Sequence, residues 1–340
     1  MKERKRYSIY DIAKKTGFSI ATVSRVLNNS TLVKTKTRDK ILKVIDDLGY
    51  RPSFFARSLA KKISKTIGLI MPDIINPVFP EMAKGIGDSA FLKDYTVFLC
   101  NTDSSVKKEV EFVDNLLDKH VDGIIFISTE MCNIKGNFEH YFYLFKKNIP
   151  VVLINGMLRD IDIPFVRINE VKAGYIATIH MLKKGLRKIA FLGGSFNSIP
   201  TNEKLKGYRQ AFNKFNIPIN EKYILLDDFE IKNGFRNTIK LLEMKNRPEG
   251  IITASDVLAM EAIRASLKIG VRIPDDLKII GFDNINFAST YSPSITTVAQ
   301  PKYKMGATAL DMLVQLIEKK DLPKRKVLVK PKLILRDSCP

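Results

Sequence analysis

Ser8-Ile9-Tyr10-Asp11-Ile12-Ala13-Lys14-Lys15-Thr16-Gly17-Phe18-Ser19-Ile20-Ala21-Thr22-Val23-Ser24-Arg25-Val26-Leu27 is the stretch on which the reading of the whole chain turns. Ser8 followed three residues later by Asp11 predicts a capped helix start, in which side chain and backbone satisfy each other's open donors. Ile12 then lies on the buried face, and Gly17 is placed to take the left-handed backbone that ends the helix at Thr16. Gly17 and Phe18 intervene before Ser19, which caps a second helix. There Val23, Val26 and Leu27 face inward, Ile20, Ala21, Ser24 and Arg25 do not, and Asn28-Asn29 stops the helix. Two short helices joined by a tight glycine turn predict a helix-turn-helix, whose second helix enters the major groove of DNA. A third helix is signalled by Thr35 as cap, by Ile41, Val44, Ile45 and Leu48 at helical spacing, and by Gly49 past its end.

Charge separates this module from any other three-helix bundle. The 340 residues carry a formal net charge of +20, and between Met1 and Lys65 there are 17 Lys and Arg against 5 Asp and Glu. The surplus sits where the short helices lie. Periodic apolar residues in the same segment favour a folded nucleic-acid-binding module over a solvated arm.

Tyr10-Asp11-Ile12-Ala13, Gly17-Phe18-Ser19, Ala21-Thr22-Val23-Ser24-Arg25-Val26-Leu27-Asn28 and Leu48-Gly49-Tyr50-Arg51-Pro52 together resemble the N-terminal signature of the lactose-repressor (LacI/GalR) family of transcription regulators. The resemblance implies base contacts from Ile20, Ala21 and Arg25, and phosphate contacts from Thr22, Ser24, Asn28, Thr37 and Tyr50. Arginine suits that role, since a two-pronged guanidinium on guanine is worth about 1–3 kcal/mol of discrimination. Ile20 and Ala21 offer apolar contact, for example to a thymine methyl, and the Ser and Thr hydroxyls have a second use as helix caps. Ser53-Phe54-Phe55-Ala56-Arg57-Ser58-Leu59 resembles the family's hinge helix, a segment too short to be stable alone in water. The resemblance implies that it folds when two subunits sit on the operator, with Leu59, beside Ala56, wedged into the minor groove. Packing of Leu59 on the core is the alternative.

Beyond residue 65 short apolar runs, at 66–71, 96–100, 123–127, 151–154, 188–192, 223–226, 250–253 and 277–281, alternate with amphipathic stretches. Such runs predict parallel sheets covered on both faces, and two sets of them predict two doubly wound lobes. The expected fold is thus an α N-terminal helix-turn-helix domain plus an α/β core of two doubly wound parallel-sheet lobes, which by the resemblance is periplasmic-binding-protein-like. The expected divisions are a helix-turn-helix domain at 1–52, a hinge helix and linker at 53–65, and an effector-binding and dimerisation core at 66–340. Within the core the N-terminal lobe takes about 66–163 and 294–324, and the C-terminal lobe about 164–293 and 325–340.

Ligands of such sheets bind beyond the carboxyl ends of the strands, which here are 73–79, 101–103, 128, 155, 193–200, 227–229, 254–256 and 282–284. Asp, Asn, Ser and Gly in these loops also serve simply to turn the chain. Asp73-Ile74-Ile75-Asn76-Pro77-Val78-Phe79, Asp122-Gly123-Ile124-Ile125, Gly207-Tyr208-Arg209-Gln210-Ala211-Phe212 and Ile280-Gly281-Phe282-Asp283-Asn284 are similar to the family's core. That similarity places effector contacts on Phe79, Lys204, Phe229, Ser255 and Asp283, and implies a small-molecule effector, a sugar or sugar derivative. Lys204 stands where sugar-binding and purine-binding members commonly carry arginine, and Ser255 where many have asparagine. A lysine is a point donor without the planar grip of a guanidinium. Residues 122–128 and Gln300-Pro301-Lys302-Tyr303 are similar to catabolite control protein A, a branch co-activated by a phosphorylated carrier protein. Asp311, however, stands where that branch has arginine, and an acid repels a phosphoserine. Strand-like runs flank Pro331, no leucine-heptad tail follows, and a two-fold homodimer is expected.

An enzyme is not expected. His120, His140 and His180 have no nucleophile motif beside them, Gly193-Gly194-Ser195 lacks the second glycine of a nucleophile elbow, and neither a P-loop nor a Gly-x-Gly-x-x-Gly stretch occurs. Cys100, Cys132 and Cys339 fit neither a metal-ligand spacing nor a disulfide framework, so no metal and no cofactor are expected. The charged N-terminus has no apolar run behind it and no eighteen-residue apolar stretch follows, which leads to the expectation of a cytoplasmic protein with no membrane partner. The expected partners are double-stranded operator DNA, a carbohydrate-like effector and a second copy of the chain. A sugar receptor that binds no DNA is the rival from another class.

Overall fold

The computed structural model describes residues 7–27, 30–50, 63–128, 139–158, 162–195, 198–227 and 231–340. The chain divides into two compact units, Met1–Lys65 and Thr66–Pro340. The first holds α1 (Ile9–Thr16), α2 (Ile20–Leu27) and α3 (Thr35–Asp47). Its first helix starts as expected: the Ser8 hydroxyl accepts from the Asp11 N–H at 3.3 Å, and the Asp11 carboxylate accepts from the Ser8 N–H at 2.7 Å. Gly17, at φ 76°, ends that helix with its N–H on the Ala13 carbonyl. Ser19 caps the second helix, accepting from the Thr22 N–H at 3.2 Å. The third differs from expectation, because Thr35 is already its first helical residue and the cap position falls to Lys34. A lysine has no side-chain acceptor, so α3 begins without a side-chain cap. Ile12, Val23, Val26, Ile41 and Ile45 meet in the core of this unit.

The second unit runs β1 (Thr66–Met71), α4 (Val78–Leu92), β2 (Thr96–Asn101), α5 (Val106–Asp118), β3 (Gly123–Ile127), α6 (Glu139–Lys146), β4 (Val151–Ile154), β5 (Phe165–Ile168), α7 (Glu170–Lys183), β6 (Ile189–Gly193), α8 (Ile199–Lys214), β7 (Ile224–Leu226) and α9 (Ile231–Leu242). It continues with β8 (Gly250–Thr253), α10 (Asp256–Lys268), β9 (Lys278–Asp283), α11 (Asn286–Thr290), β10 (Thr296–Ala299), α12 (Lys302–Ile317), β11 (Lys326–Val329) and β12 (Lys332–Ile334). Two six-stranded sheets result, in the orders β11-β5-β4-β3-β1-β2 and β12-β10-β9-β8-β6-β7. The pairing of β10 with β12 is antiparallel and the others are parallel. Inner strands such as Thr66–Met71 and Gly123–Ile127 are buried along their whole length, as strands covered on both faces must be.

The eight apolar runs are strands, but the expected lobe boundaries need correction. β5 and β11, assigned by sequence to the C-terminal lobe, lie in the first sheet, and β10, assigned to the N-terminal lobe, lies in the second. The chain changes lobes after β5, after β10 and after β11. β5 and β10 are four residues each, one interrupted by Arg167 and the other opened by Thr296-Thr297, so neither shows as a continuous apolar run.

Each lobe is covered on one face by a pair of helices in unusually close contact. A Cβ on Gly207 of α8 would lie 2.0 Å from the Val171 carbonyl oxygen, and one on Gly174 of α7 2.0 Å from that of Lys204. In the other lobe, Gly85 of α4 and Gly306 of α12 would each meet a carbonyl oxygen at 2.1 Å, those of Tyr303 and Met82. Gly207→Ala should therefore destabilise the core. The gain in helix propensity is about 1 kcal/mol, whereas forcing two packed helices apart costs about 1–3 kcal/mol or more. Urea denaturation of the variant, expected at a lower midpoint, checks this, and an unchanged or raised midpoint would refute it.

Candidate functional site

The helix-turn-helix presents its second helix as the sequence suggests. Val23 and Val26 are buried, while Ile20 at 42% exposure, Ala21 and Arg25 are exposed. Thr22 and Ser24 are half-buried, and the Thr22 hydroxyl lies 2.9 Å from that of Ser19, so this side chain takes part in the cap as well as flanking the outer face. Thr37 sits half-buried in the first turn of α3. Tyr50 packs against the small core, its N–H on the Ile45 carbonyl at 2.9 Å. Asn28, Ala56 and Leu59 lie outside the described residues. Lys14, Lys15, Lys34, Lys36 and Lys43 are exposed around these helices, and Lys40 stands over the Phe18 ring at 5.5 Å.

In the core, the carboxyl ends of the strands gather charged side chains, of which Arg167, Glu170, Lys204, Asp256, Asp283 and Lys302 are buried. Lys204 near the start of α8 pairs with Glu170 at the start of α7 at 3.0 Å and stands over the Phe282 ring at 5.1 Å. Arg167 of β5, in the first sheet, reaches Glu203 of α8, in the second lobe, with Nη2 2.6 Å from the carboxylate. This ion pair spans the two lobes. Lys302, 2% exposed at the start of α12, donates to the carbonyls of Asp283 at 2.6 Å and Asn284 at 3.0 Å, and lies 3.1 Å from Glu81 of α4. It too joins the lobes.

Of the expected effector residues, Asp283 and Lys204 are brought together, the charge of Lys204 acting on the Asp283 carboxyl. Asp283 also accepts from Gln300 Nε2 at 2.7 Å. Ser255 caps α10, its hydroxyl accepting from the Leu258 N–H at 3.3 Å. Phe79 is 6% exposed and packs into the core around Met82 and Ile86, and Phe229 lies outside the described residues. Sequence reasoning missed Arg167, Glu170 and Glu203, and named Gln300 and Lys302 only for their similarity to catabolite control protein A. A guanidinium inside the apolar run Phe165-Val166-Arg167-Ile168 was the available signal, since a charge in a buried strand needs a partner.

Several polar atoms in this region are buried with no hydrogen-bond partner: Ser128 Oγ and Asn155 Oδ1 past β3 and β4, Thr201 Oγ1 in α8, Gln300 Oε1, and Arg167 Nε. Such atoms are costly to bury, at about 1–3 kcal/mol each, and a bound polar ligand would satisfy them. A cavity of about 190 Å³ lies elsewhere, lined by Phe145, Pro150, Ile163, Pro164, Leu316 and Arg325 at the amino ends of the strands of the first lobe. It faces away from these polar groups.

Burial raises the pKa of Asp256, helped by the charge of Asp283, and burial likewise raises those of Asp283 and Glu170 against the opposing charge of Lys204. A carboxyl raised in the folded state binds its proton more tightly there than in the unfolded chain. Its contribution to stability is then largest at acid pH and falls as pH rises from the usual carboxylate range through the folded value. Asp256→Asn should flatten that fall. Urea denaturation of both proteins between about pH 5 and about pH 8 would show it, and equal slopes would refute the assignment to Asp256.

The chain matches known proteins over nearly its full length. The family described as bacterial regulatory proteins, lacI family, matches residues 8–53, and a periplasmic binding protein-like domain matches residues 178–339. The HTH-type transcriptional regulator RegA of Clostridium saccharobutylicum is 36% identical over 332 residues, 97% of this chain and 98% of that protein. Catabolite control protein A of Priestia megaterium is 38% identical over 314 residues, 92% of this chain and 93% of that one. Among solved structures, a lac repressor dimer bound to operator and the anti-inducer ONPF has the same architecture, with a TM-score of 0.86 at 25% identity over 98% of this chain and 99% of that one. With a helix-turn-helix ahead of a two-lobed core and relatives of this likeness over nearly its full length, the chain belongs to the lacI family of bacterial regulatory proteins.

Proposed function

We propose that the chain is a cytoplasmic repressor that binds a pseudo-palindromic operator as a homodimer and responds to a carbohydrate-like effector held between the lobes of its core. The observation that carries this reading is the combination, in one chain, of an exposed helix face built around Arg25 with unpartnered polar atoms buried at the carboxyl ends of the core strands. On the DNA side, Ile20, Ala21 and Arg25 meet base edges, while Thr22, Ser24, Asn28, Thr37 and Tyr50 hold phosphates. Leu59, with Ala56 beside it, is the minor-groove wedge. A single copy has one strong base-reading side chain, so two copies at fixed spacing supply the rest of the selectivity.

Exposed apolar side chains at one edge of the first sheet support a two-fold assembly. Phe91 and Leu92 at the end of α4 are each 81% exposed, and Phe98 and Leu99 on the edge strand β2 are open beside them. The family resemblance assigns the effector to Asp283, Ser255, Phe79, Phe229 and Lys204, and of these Asp283 and Lys204 lie together among the buried polar groups, with Glu170 as the partner of Lys204. An effector that changes the angle between lobes would order or melt the hinge at 53–65, with a coupling of about 1–3 kcal/mol. A phosphorylated carrier protein docked on the first lobe is less well supported. Asp311 on α12, bonded to Ser89 at 3.2 Å and Lys93 at 3.1 Å, puts a carboxylate where a phosphoserine would need a cation.

Selection of binding sites from random DNA, followed by titration at fixed salt, tests the reading. The wild-type chain should select an inverted repeat. Arg25→Ala should lose about 1–3 kcal/mol and relax choice at one position of each half-site. A uniform loss over all sequences would make Arg25 a phosphate contact instead.

A further inference from the structure

Among the described residues of the core, three Lys and Arg side chains are buried, Arg167, Lys204 and Lys302, and each has a carboxylate partner within the chain. Arg167 holds Glu203 at 2.6 Å, Lys204 holds Glu170 at 3.0 Å, and Lys302 holds Glu81 at 3.1 Å. Glu170, Asp256 and Asp283 are buried carboxyls beside them, while the Glu203 and Glu81 side chains keep 31% and 40% exposure. Each buried cation thus has its charge matched within the chain, and Arg167 Nε is the one donor among them left without a partner. Among the unpartnered atoms acceptors outnumber pure donors: Asn155 Oδ1, Gln300 Oε1 and Asp256 Oδ1 stand against Arg167 Nε, and Ser128 and Thr201 offer hydroxyls. Acceptors call for a ligand that donates hydrogen bonds. A phosphate or carboxylate brings further acceptors and a negative charge, and burying that charge among carboxyls without a cation is strongly unfavourable.

Resting on the cleft reading above, we propose that Glu170 and Glu203 are specificity-determining residues: by occupying Lys204 and Arg167 they make the cleft take an uncharged, hydroxyl-rich ligand and turn away its phosphorylated or carboxylated counterpart. The carboxylates thereby set which charge the site accepts, and Arg167, reaching from the first sheet to the second lobe, holds the cleft closed over a neutral occupant without drawing on that occupant for a counter-charge.

The test uses the full chain and matched pairs of probes, ribose with ribose 5-phosphate and glucose with glucose 6-phosphate, plus cellobiose and gluconate, titrated calorimetrically at constant ionic strength. At least one neutral probe should bind, at least about tenfold tighter than its anionic partner. Glu203→Gln, which leaves Arg167 without its carboxylate, should narrow or reverse that ratio, and Glu170→Gln should act likewise through Lys204. The basic N-terminal unit is common to all variants, so phosphate drawn to it cancels in the comparison. Where Glu170→Gln fails to fold around an unpaired Lys204, the double change Glu170→Gln/Lys204→Gln removes both charges and should keep the wild-type preference for the neutral form.

Preference of the wild-type chain for the phosphorylated probe would overturn the proposal while leaving the cleft reading intact. So would a ratio unmoved by Glu203→Gln. Binding of the neutral probe that is insensitive to both Ser128→Ala and Asn155→Ala would overturn the cleft reading itself. Failure of every probe, neutral and anionic, would overturn both.

Discussion

In each lobe a pair of helices crosses at glycine, and the carbonyl of one backbone fills the space where the other would carry a side chain. The arrangement is reciprocal: Gly174 faces the turn before Gly207 and Gly207 the turn before Gly174, with Gly85 and Gly306 doing the same in the other lobe. Contact this close leaves no room for water between the helices and brings their first turns side by side. The charged residues of those turns must then pair. Glu170 lies four residues before Gly174 and Glu81 four before Gly85, and each meets a lysine from the opposite helix, Lys204 or Lys302. The buried ion pairs are thus a consequence of how the helices cross.

One of those lysines, Lys302, also holds the backbone at the end of β9. Asp283 and Asn284 have φ of 102° and 51°, conformations costing a non-glycine residue about 1–3 kcal/mol. Both carbonyls are held by the ammonium of Lys302, and the Asn284 side chain accepts from Arg336 at 2.7 Å. A helix that belongs to one sheet therefore secures the strained end of a strand that belongs to the other. Together with Arg167 and Glu203, this gives the two lobes charged contacts at two separate places, so their relative angle is set by specific bonds.

The DNA-reading unit was legible because each of its signals is local. Ser8 with Asp11, Gly17 and Ser19 act within four residues of themselves, and the one failed expectation there, Thr35 as cap, is an error of a single position. The lobes were legible where strands are continuously apolar. They were not where a strand carries its own polar residue, as Arg167 does in β5 and Thr296-Thr297 in β10. The charged cluster at the strand ends was legible only in part. Asp283, Ser255 and Lys204 were named only through the family resemblance, and the structure brings Asp283 and Lys204 together. The pair of Arg167 and Glu203 was not named, since the two are 36 residues apart and meet only through the packing of two sheets.

The three passages of the chain between the lobes bear on how the protein is made. The first sheet is completed at its edge by β11, and the helix α12 that covers it comes after almost the whole of the second lobe. The second sheet in turn takes its last strand, β12, from the final residues. A ribosome must therefore deliver nearly the entire core before either half can close, and during synthesis both sheets stand with open edges and uncovered apolar faces. Long-range pairings of this kind are slow to form and leave such surfaces exposed meanwhile. The helix-turn-helix, by contrast, is finished after about fifty residues, so the part that grips DNA exists well before the part that governs it.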